Sequence, residues 1–300
     1  MTQLIKRASA EARAFGSKRQ DKVDKQDKKQ AKRLKRERGD DLDRDLDDAP
    51  RIDVPRKPRF APVTFSEEGG VRFLHFGTEW VQGAMRLKKP NHIELEYAQQ
   101  MMGWMLFVEQ PQSIVQLGLG TGALTKFCYR QFPQAQVTAV ELNPSVIAVC
   151  ESMFKLPPND ARLSVLEMDA LDFVTDPVNL ETIDALQVDL YDATARGPVL
   201  DTPEFYLSCA ACLKPHGVMT VNLFGDHPSY AKNLKAMHFA FDQVICLPEV
   251  HDGNVVALAF KTGDELDFLE LYARALAIAD TTKLPAKSWV NGLKHGIIPK

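Results

Sequence analysis

The sequence predicts an α/β fold with a mostly parallel, doubly wound sheet, and three observations carry that prediction. Apolar runs of strand length alternate with helix-length runs between residues 113 and 261. The loop after the first of these strands reads Gly118-Leu119-Gly120-Thr121-Gly122. The next two strands close on acids, Glu141 and Asp169. In such sheets ligands sit outside the carboxyl ends of the strands, where the strand order reverses, so the loop and both acids fall where a ligand is held.

The 300 residues, 45% hydrophobic and 26% charged, are those of a globular chain with ample surface to bury. A net charge of -3 hides a strong asymmetry. Residues 1–38 carry 14 Lys or Arg against 5 acids, 39–50 carry a net -5, and the rest is mildly acidic. With almost no aromatic or β-branched residues, 1–50 is expected to be a disordered charged tail. A basic arm at 1–38 could touch RNA or another polyanion, but a solvated tail whose halves neutralise each other is the favoured reading. No apolar run approaches the roughly 18–20 residues of a membrane span, and the N-terminus lacks a secretory stretch. Five scattered cysteines suit a reducing compartment, so the expected location is the cytoplasm, with no membrane partner. Cys209 and Cys212 have the spacing of a redox or metal half-site, yet they share a helical run with Ala210 and Ala211 and lack a second pair, so helix packing is expected and no metal.

Each element follows from local pattern. Order is expected from Arg51, with strands at Val71–Phe76 and 80–85 forming a small β-region, then a linking helix over 93–108 that ends before Pro111. The α/β domain spans 111–262. Its strands are expected at 113–119, 136–142, 163–168, within 183–191 and at 217–224, with a closing pair at 243–247 and 254–261. Helices are expected at 123–132, 144–154 (with Pro144 in the first turn), 202–213 and 229–241. A final helix at 265–279 opens a C-terminal segment, 263–300.

The glycines let the backbone turn sharply and approach a ligand, while the following helix start presents free N–H groups. Glu141 is placed to accept both hydroxyl protons of a ribose, and Asp169, beside Ala170, to accept from an adenine amino group. Gly118, Gly120 and Ala123 also satisfy a loose dinucleotide fingerprint. Gly122 tightens it to G-x-G-x-G, and acids at two successive strand ends favour an adenosyl ligand over a nicotinamide cofactor. The fold expected is therefore a Rossmann-like sheet of the S-adenosylmethionine-dependent methyltransferase type, preceded by a small N-terminal β-domain.

At the end of the fourth strand stand Val188-Asp189-Leu190-Tyr191-Asp192, followed by Gly197-Pro198 and Pro203-Glu204-Phe205-Tyr206. With these motifs the chain resembles the spermidine synthase (polyamine aminopropyltransferase) family, over roughly residues 70–262. The resemblance implies transfer of an aminopropyl group from decarboxylated S-adenosylmethionine to a diamine such as putrescine, without a metal. It implies that Asp189 takes the proton of the attacking amine and Asp192 holds the cationic substrate. Gly118, Gly120, Thr121, Gly122, Glu141, Asp169 and Ala170 would surround the donor, and Gln82, Glu94, Tyr97, Tyr191 and Pro198 the diamine. A homodimer is implied as well.

The chain departs from the family at Thr121, where the family has an Asp that binds the donor's ammonium. It departs again at Ala98, where His or Gln is usual, and between Asp192 and Gly197, where two residues are added and Ala193 replaces a Pro. These changes motivate two alternatives: a methyltransferase using ordinary S-adenosylmethionine, and a non-catalytic adenosyl-binding protein recruited to RNA by its tail.

Overall fold

The computed structural model describes residues 60–192, 197–225, 227–250 and 253–296. The charged tail, its polyanion contact and the onset of order at Arg51 lie outside the described residues. The described residues from Pro62 onward form one compact unit that holds both sheets.

The small sheet is antiparallel in the order β1 (Val63–Glu68), β2 (Val71–Phe76), β3 (Gly83–Arg86). Gly69 and Gly70, both at positive φ, make the tight turn between the first two strands. The large sheet follows as β4 (Ser113–Leu117), β5 (Gln136–Glu141), β6 (Leu163–Glu167), β7 (Ile183–Val188), β8 (Leu213–Phe224), β9 (Gln243–Cys246) and β10 (Asn254–Phe260). Its strand order is β6-β5-β4-β7-β8-β10-β9, parallel from β6 to β8 and antiparallel at β10 and β9. The order reverses between β4 and β7, so the crevice at their carboxyl ends is the expected ligand site.

The helices are α1 (Glu96–Gln100), α2 (Ala123–Gln131), α3 (Pro144–Met153), α4 (Ala170–Thr175), α5 (Pro203–Cys212), α6 (Ser229–Ala240), α7 (Phe268–Thr282) and α8 (Ala286–Gly296). One face of the large sheet packs against α7, α8 and the segment 101–106, the other against α4, α5 and α6. A third cluster joins Leu74 and Met85 of the small sheet to Leu119, Val146 and Phe154, and so seats that sheet over the glycine loop.

Four differences from the sequence reading are local. The expected helix at 93–108 is only α1, continued by a 3-10 turn at Met101–Leu106. At the junction the Met101 carbonyl also accepts from Thr220 Oγ1 (3.0 Å) and Gln187 Nε2 (3.4 Å), both from the sheet below. The strand expected at 80–85 is shifted to Gly83–Arg86. Strand β1 was not expected; its alternation is limited to Val63-Thr64-Phe65-Ser66 before two glutamates, and its side chains are almost all exposed. The final helix starts at Phe268, where Asp267 accepts from the Leu269 and Glu270 N–H groups, and a further helix, α8, follows Pro285. All five cysteines are free, and Cys209 and Cys212 are buried in the core as helix-packing residues.

Candidate active site

The glycine loop is shaped by close approach of backbone to backbone. Gly118, at φ 89°, donates its N–H to Val140 O (2.8 Å). A Cβ there would stand 2.2 Å from the Asp189 carbonyl oxygen, so no larger residue fits. Asp189 N–H in turn donates to Leu117 O (2.9 Å), which fixes the end of β7 against the loop. Gly120 and Gly122 also take positive φ, and Gly122 opens α2.

Glu141, at the end of β5, accepts from Leu119 N–H at Oε2 (3.0 Å) and from Asn143 N–H at Oε1 (2.9 Å). Burial raises its pKa, and the bonds from Leu119, Asn143 and Leu142 oppose the rise. A carboxylate offers about four lone-pair sites, so both oxygens retain capacity for a pair of vicinal hydroxyls. Asp169 caps α4 through a bond from Leu171 N–H to Oδ1 (2.9 Å), with buried Ala170 as the first helical residue. Leu142 and Met168, directly after the ends of β5 and β6, are 40% and 39% exposed, apolar surface beside the two strand-end acids. The sequence reading did not single them out, although an apolar residue directly beside a strand-end acid is the signal.

Between the loop, the small sheet and α1 lies an open cleft whose lining includes Gln82, Tyr97, Gln116, Gly120, Thr121 and Asp189. Asp189 is half-buried, and burial lifts its carboxyl to about 6, opposed by a hydrogen bond from Asn222 Nδ2 to Oδ1 (2.9 Å). Tyr97 faces the same carboxylate, and burial first, then Asp189 and Tyr191, hold its hydroxyl well above its ordinary range. Tyr191 donates to Asn222 O (3.2 Å). Gly197 and Pro198, joined by a cis peptide bond, are buried, and a Cβ on Gly197 would come within 2.7 Å of the Tyr191 ring. The Gly-Pro motif thus packs on the ring rather than standing apart from the cleft. Asp192 is half-buried, and Gln82 Nε2 reaches its backbone carbonyl at 3.5 Å. Ala193 and the insertion that follows lie outside the described residues.

Thr121 is buried, and its Cγ2 occupies the space that a Cβ on Gly83 would need, 2.6 Å away. The loop therefore presents an uncharged side chain to the cleft. Glu94 is not among the cleft-lining residues: Arg86 grips its carboxylate through Nε (3.0 Å) and Nη2. That pair ties β3 to the start of α1. Beneath the loop, buried Lys126 donates to Phe154 O (2.6 Å) and lies 3.5 Å from Met85 Sδ. Lys126, Asn222 and Asn254 escaped the sequence reading. A polar residue inside the apolar run 218–223 is the signal for Asn222. Among the described residues, no group of three or more His, Cys, Asp or Glu is arranged to hold a metal ion.

A methyltransferase-domain model matches residues 114–217. The chain is 34% identical over 235 residues to a polyamine aminopropyltransferase of Chromobacterium violaceum, covering 78% of this chain and 89% of that one. Among solved structures it is similar to a probable spermidine synthase of Corynebacterium glutamicum, at TM-score 0.61 and 17% identity over 77% of this chain and 91% of that one. It is also similar to a spermidine synthase bound to the transition-state analogue AdoDATO, at TM-score 0.58 and 16% identity over 79% and 85%.

Proposed function

The chain belongs to the polyamine aminopropyltransferase family, and on that premise we propose that the cleft between the glycine loop and Asp189 moves an aminopropyl group from decarboxylated S-adenosylmethionine to a diamine such as putrescine. The observation that carries the reading is the pairing of an adenosyl-type crevice with a half-buried carboxylate of raised pKa, Asp189, directly beside its glycine loop.

The residues present fit such a donor. Glu141 keeps lone pairs for the ribose, Asp169 accepts from the adenine amino group, and Leu142 and Met168 bound the base. The donor, when bound, supplies an electrophilic methylene next to a sulfonium, so that the amine nitrogen bonds to carbon as the carbon–sulfur bond breaks and methylthioadenosine leaves. Asp189 takes the proton released from the amine. Its pKa of about 6 keeps it ionised at neutral pH while making it a stronger base than an ordinary carboxylate. Asp192 attracts the substrate's second cationic end, and Tyr97, Tyr191 and Gln82 confine the methylene chain between the two ends. Pro198 acts through Tyr191. Glu94 acts through its pair with Arg86, which fixes α1 and with it Tyr97. We further place the enzyme in the cytoplasm as a homodimer, the expectations carried by its cysteines and by the family; among the described residues no helix is long and apolar enough to cross a membrane.

Incubation with decarboxylated S-adenosylmethionine and putrescine should yield equimolar methylthioadenosine and spermidine. Asp189→Asn should lower turnover by about 10²–10⁴-fold while still binding the donor, the usual contribution of a general base. Absence of product with putrescine and with longer diamines overturns the reading. Methyl transfer on the same scaffold is favoured by one observation, the uncharged Thr121 in the loop. Tighter binding of ordinary than of decarboxylated S-adenosylmethionine would decide for it.

A further inference from the structure

Strand β8 contributes an apolar, fully buried run from Val218 to Leu223, broken by two polar residues. Thr220 is accounted for by its bond to Met101 O. Asn222, 2% exposed, needs its own account, because a buried amide costs free energy unless its donors and acceptor are paired. Its Nδ2 donates to Asp189 Oδ1 (2.9 Å), and its Oδ1 accepts from Asn254 Nδ2 (3.0 Å). Asn254 opens β10, the antiparallel neighbour of β8. The Tyr191 hydroxyl donates to the Asn222 carbonyl (3.2 Å).

The direction of this chain is fixed by chemistry. An ionised carboxylate only accepts, so the Asn222 amide must turn its NH₂ toward Asp189. Its oxygen then points away and requires a donor, which Asn254 provides. A flipped Asn222 would face oxygen to oxygen with Asp189 and nitrogen to nitrogen with Asn254.

We propose that Asn222, locked by Asn254, is a positioning residue that orients Asp189 Oδ1 and stabilises its anionic form for the transfer reaction. The proposal rests on the reading of Asp189 as base. Among the described residues, the other groups facing the carboxylate are the neutral hydroxyls of Tyr97 on α1 and Tyr191 on its own loop, with uncharged Gln116 and Thr121 lining the same cleft from β4 and the glycine loop. The asparagine pair is therefore the device that offsets burial of the charge.

The test is a pair of titrations on the full chain. One follows the Asp189 carboxyl by carbon-13 NMR, assigned by its loss in Asp189→Asn. The other follows turnover against pH by methylthioadenosine release. Asn222→Ala should raise the carboxyl titration and the acid limb of turnover together by about one unit, the size of one charge-assisted bond. Turnover at pH 6 then falls about fivefold relative to wild type, with the pH 8 plateau changed much less. Asn254→Ala should move both the same way by less, and because it leaves the Asn222–Asp189 contact in place it serves where Asn222→Ala fails to fold. An unchanged carboxyl titration in the folded variants overturns the proposal. A shifted titration with an unshifted turnover profile leaves the positioning role standing and overturns Asp189 as the base.

Discussion

The two halves of the cleft are built from different materials. The donor half is backbone: Gly118, Leu119, Asn143 and Leu171 offer N–H groups, and its carboxylates, Glu141 and Asp169, are each anchored by such bonds. The acceptor half is side chain: Gln82, Tyr97, Asp189, Tyr191, Asn222 and Asn254 arrive from separate segments of both sheets and from α1. Backbone geometry tolerates changes of side chain but not of glycine. A side-chain network can be retuned residue by residue, at the risk of leaving a buried group unpaired.

The strongest way to break that comparison is Gly118→Ala. The added Cβ meets the Asp189 carbonyl at 2.2 Å in a left-handed conformation, so either the loop or the end of β7 must move. Donor affinity should fall more than about a hundredfold, which corresponds to roughly 3 kcal/mol of combined strain and displacement. Calorimetric titration with S-adenosylhomocysteine reads it directly. Wild-type affinity in this variant would mean that the loop is not held against Asp189 and that the donor half is not backbone-built.

The same division governs what the sequence revealed. The donor half was legible because glycines at a strand-to-helix loop and acids at strand ends are local signals, and the alternation that predicts the sheet is local too. The Asp189-Asp192 and Gly197-Pro198 motifs were legible as motifs. Their partners were not, since Asn222 meets Asp189 through the parallel pairing of β7 and β8, and Asn254 reaches Asn222 through the antiparallel pairing of β8 and β10. Glu94 shows the same limit from the other side: its pattern with Tyr97 is visible in sequence, but the grip of Arg86 comes from the small sheet. The helix expected at 93–108 was misread for a related reason: its junction at Met101 is held by Thr220 and Gln187, from strands far along the chain.

A second test concerns the charge beneath the donor half. Burial lowers the Lys126 pKa to about 8, with Cys150 opposing, and no carboxylate compensates it in the bonds it makes to Phe154 O and Met85 Sδ. A base whose folded pKa is depressed binds fewer protons folded than unfolded between that value and its ordinary 10.5. Stability therefore rises with pH through that window and is lost as pH falls through 8. Against Lys126→Met, the wild type should gain on the order of 1–2 kcal/mol between pH 8 and pH 10, since groups common to both proteins cancel in the difference. Denaturant unfolding at several pH values reads the gain. A flat difference would show that the amine is neutral already, or is solvated, and that no buried charge lies beneath the glycine loop at Lys126.

The smallest expected effect is the most specific. Thr121 presents no charge to the cleft, and its Cγ2 fills the space that Gly83 leaves by lacking a side chain. Asp is close to Thr in size, so Thr121→Asp should fit the same space and put a carboxylate where the donor's tail ends. The decarboxylated donor carries a bare ammonium there, which gains an attraction; ordinary S-adenosylmethionine also carries a carboxylate, which is repelled. The ratio of their affinities should shift about tenfold toward the decarboxylated form, the scale of a partly buried charge pair. The KM for the diamine, set by the acceptor half, should stay unchanged. Competition calorimetry with the two donors measures the ratio. A shifted diamine KM with an unshifted donor ratio would mean that Thr121 belongs to the acceptor half, and that the boundary between backbone and side-chain construction runs through the glycine loop itself.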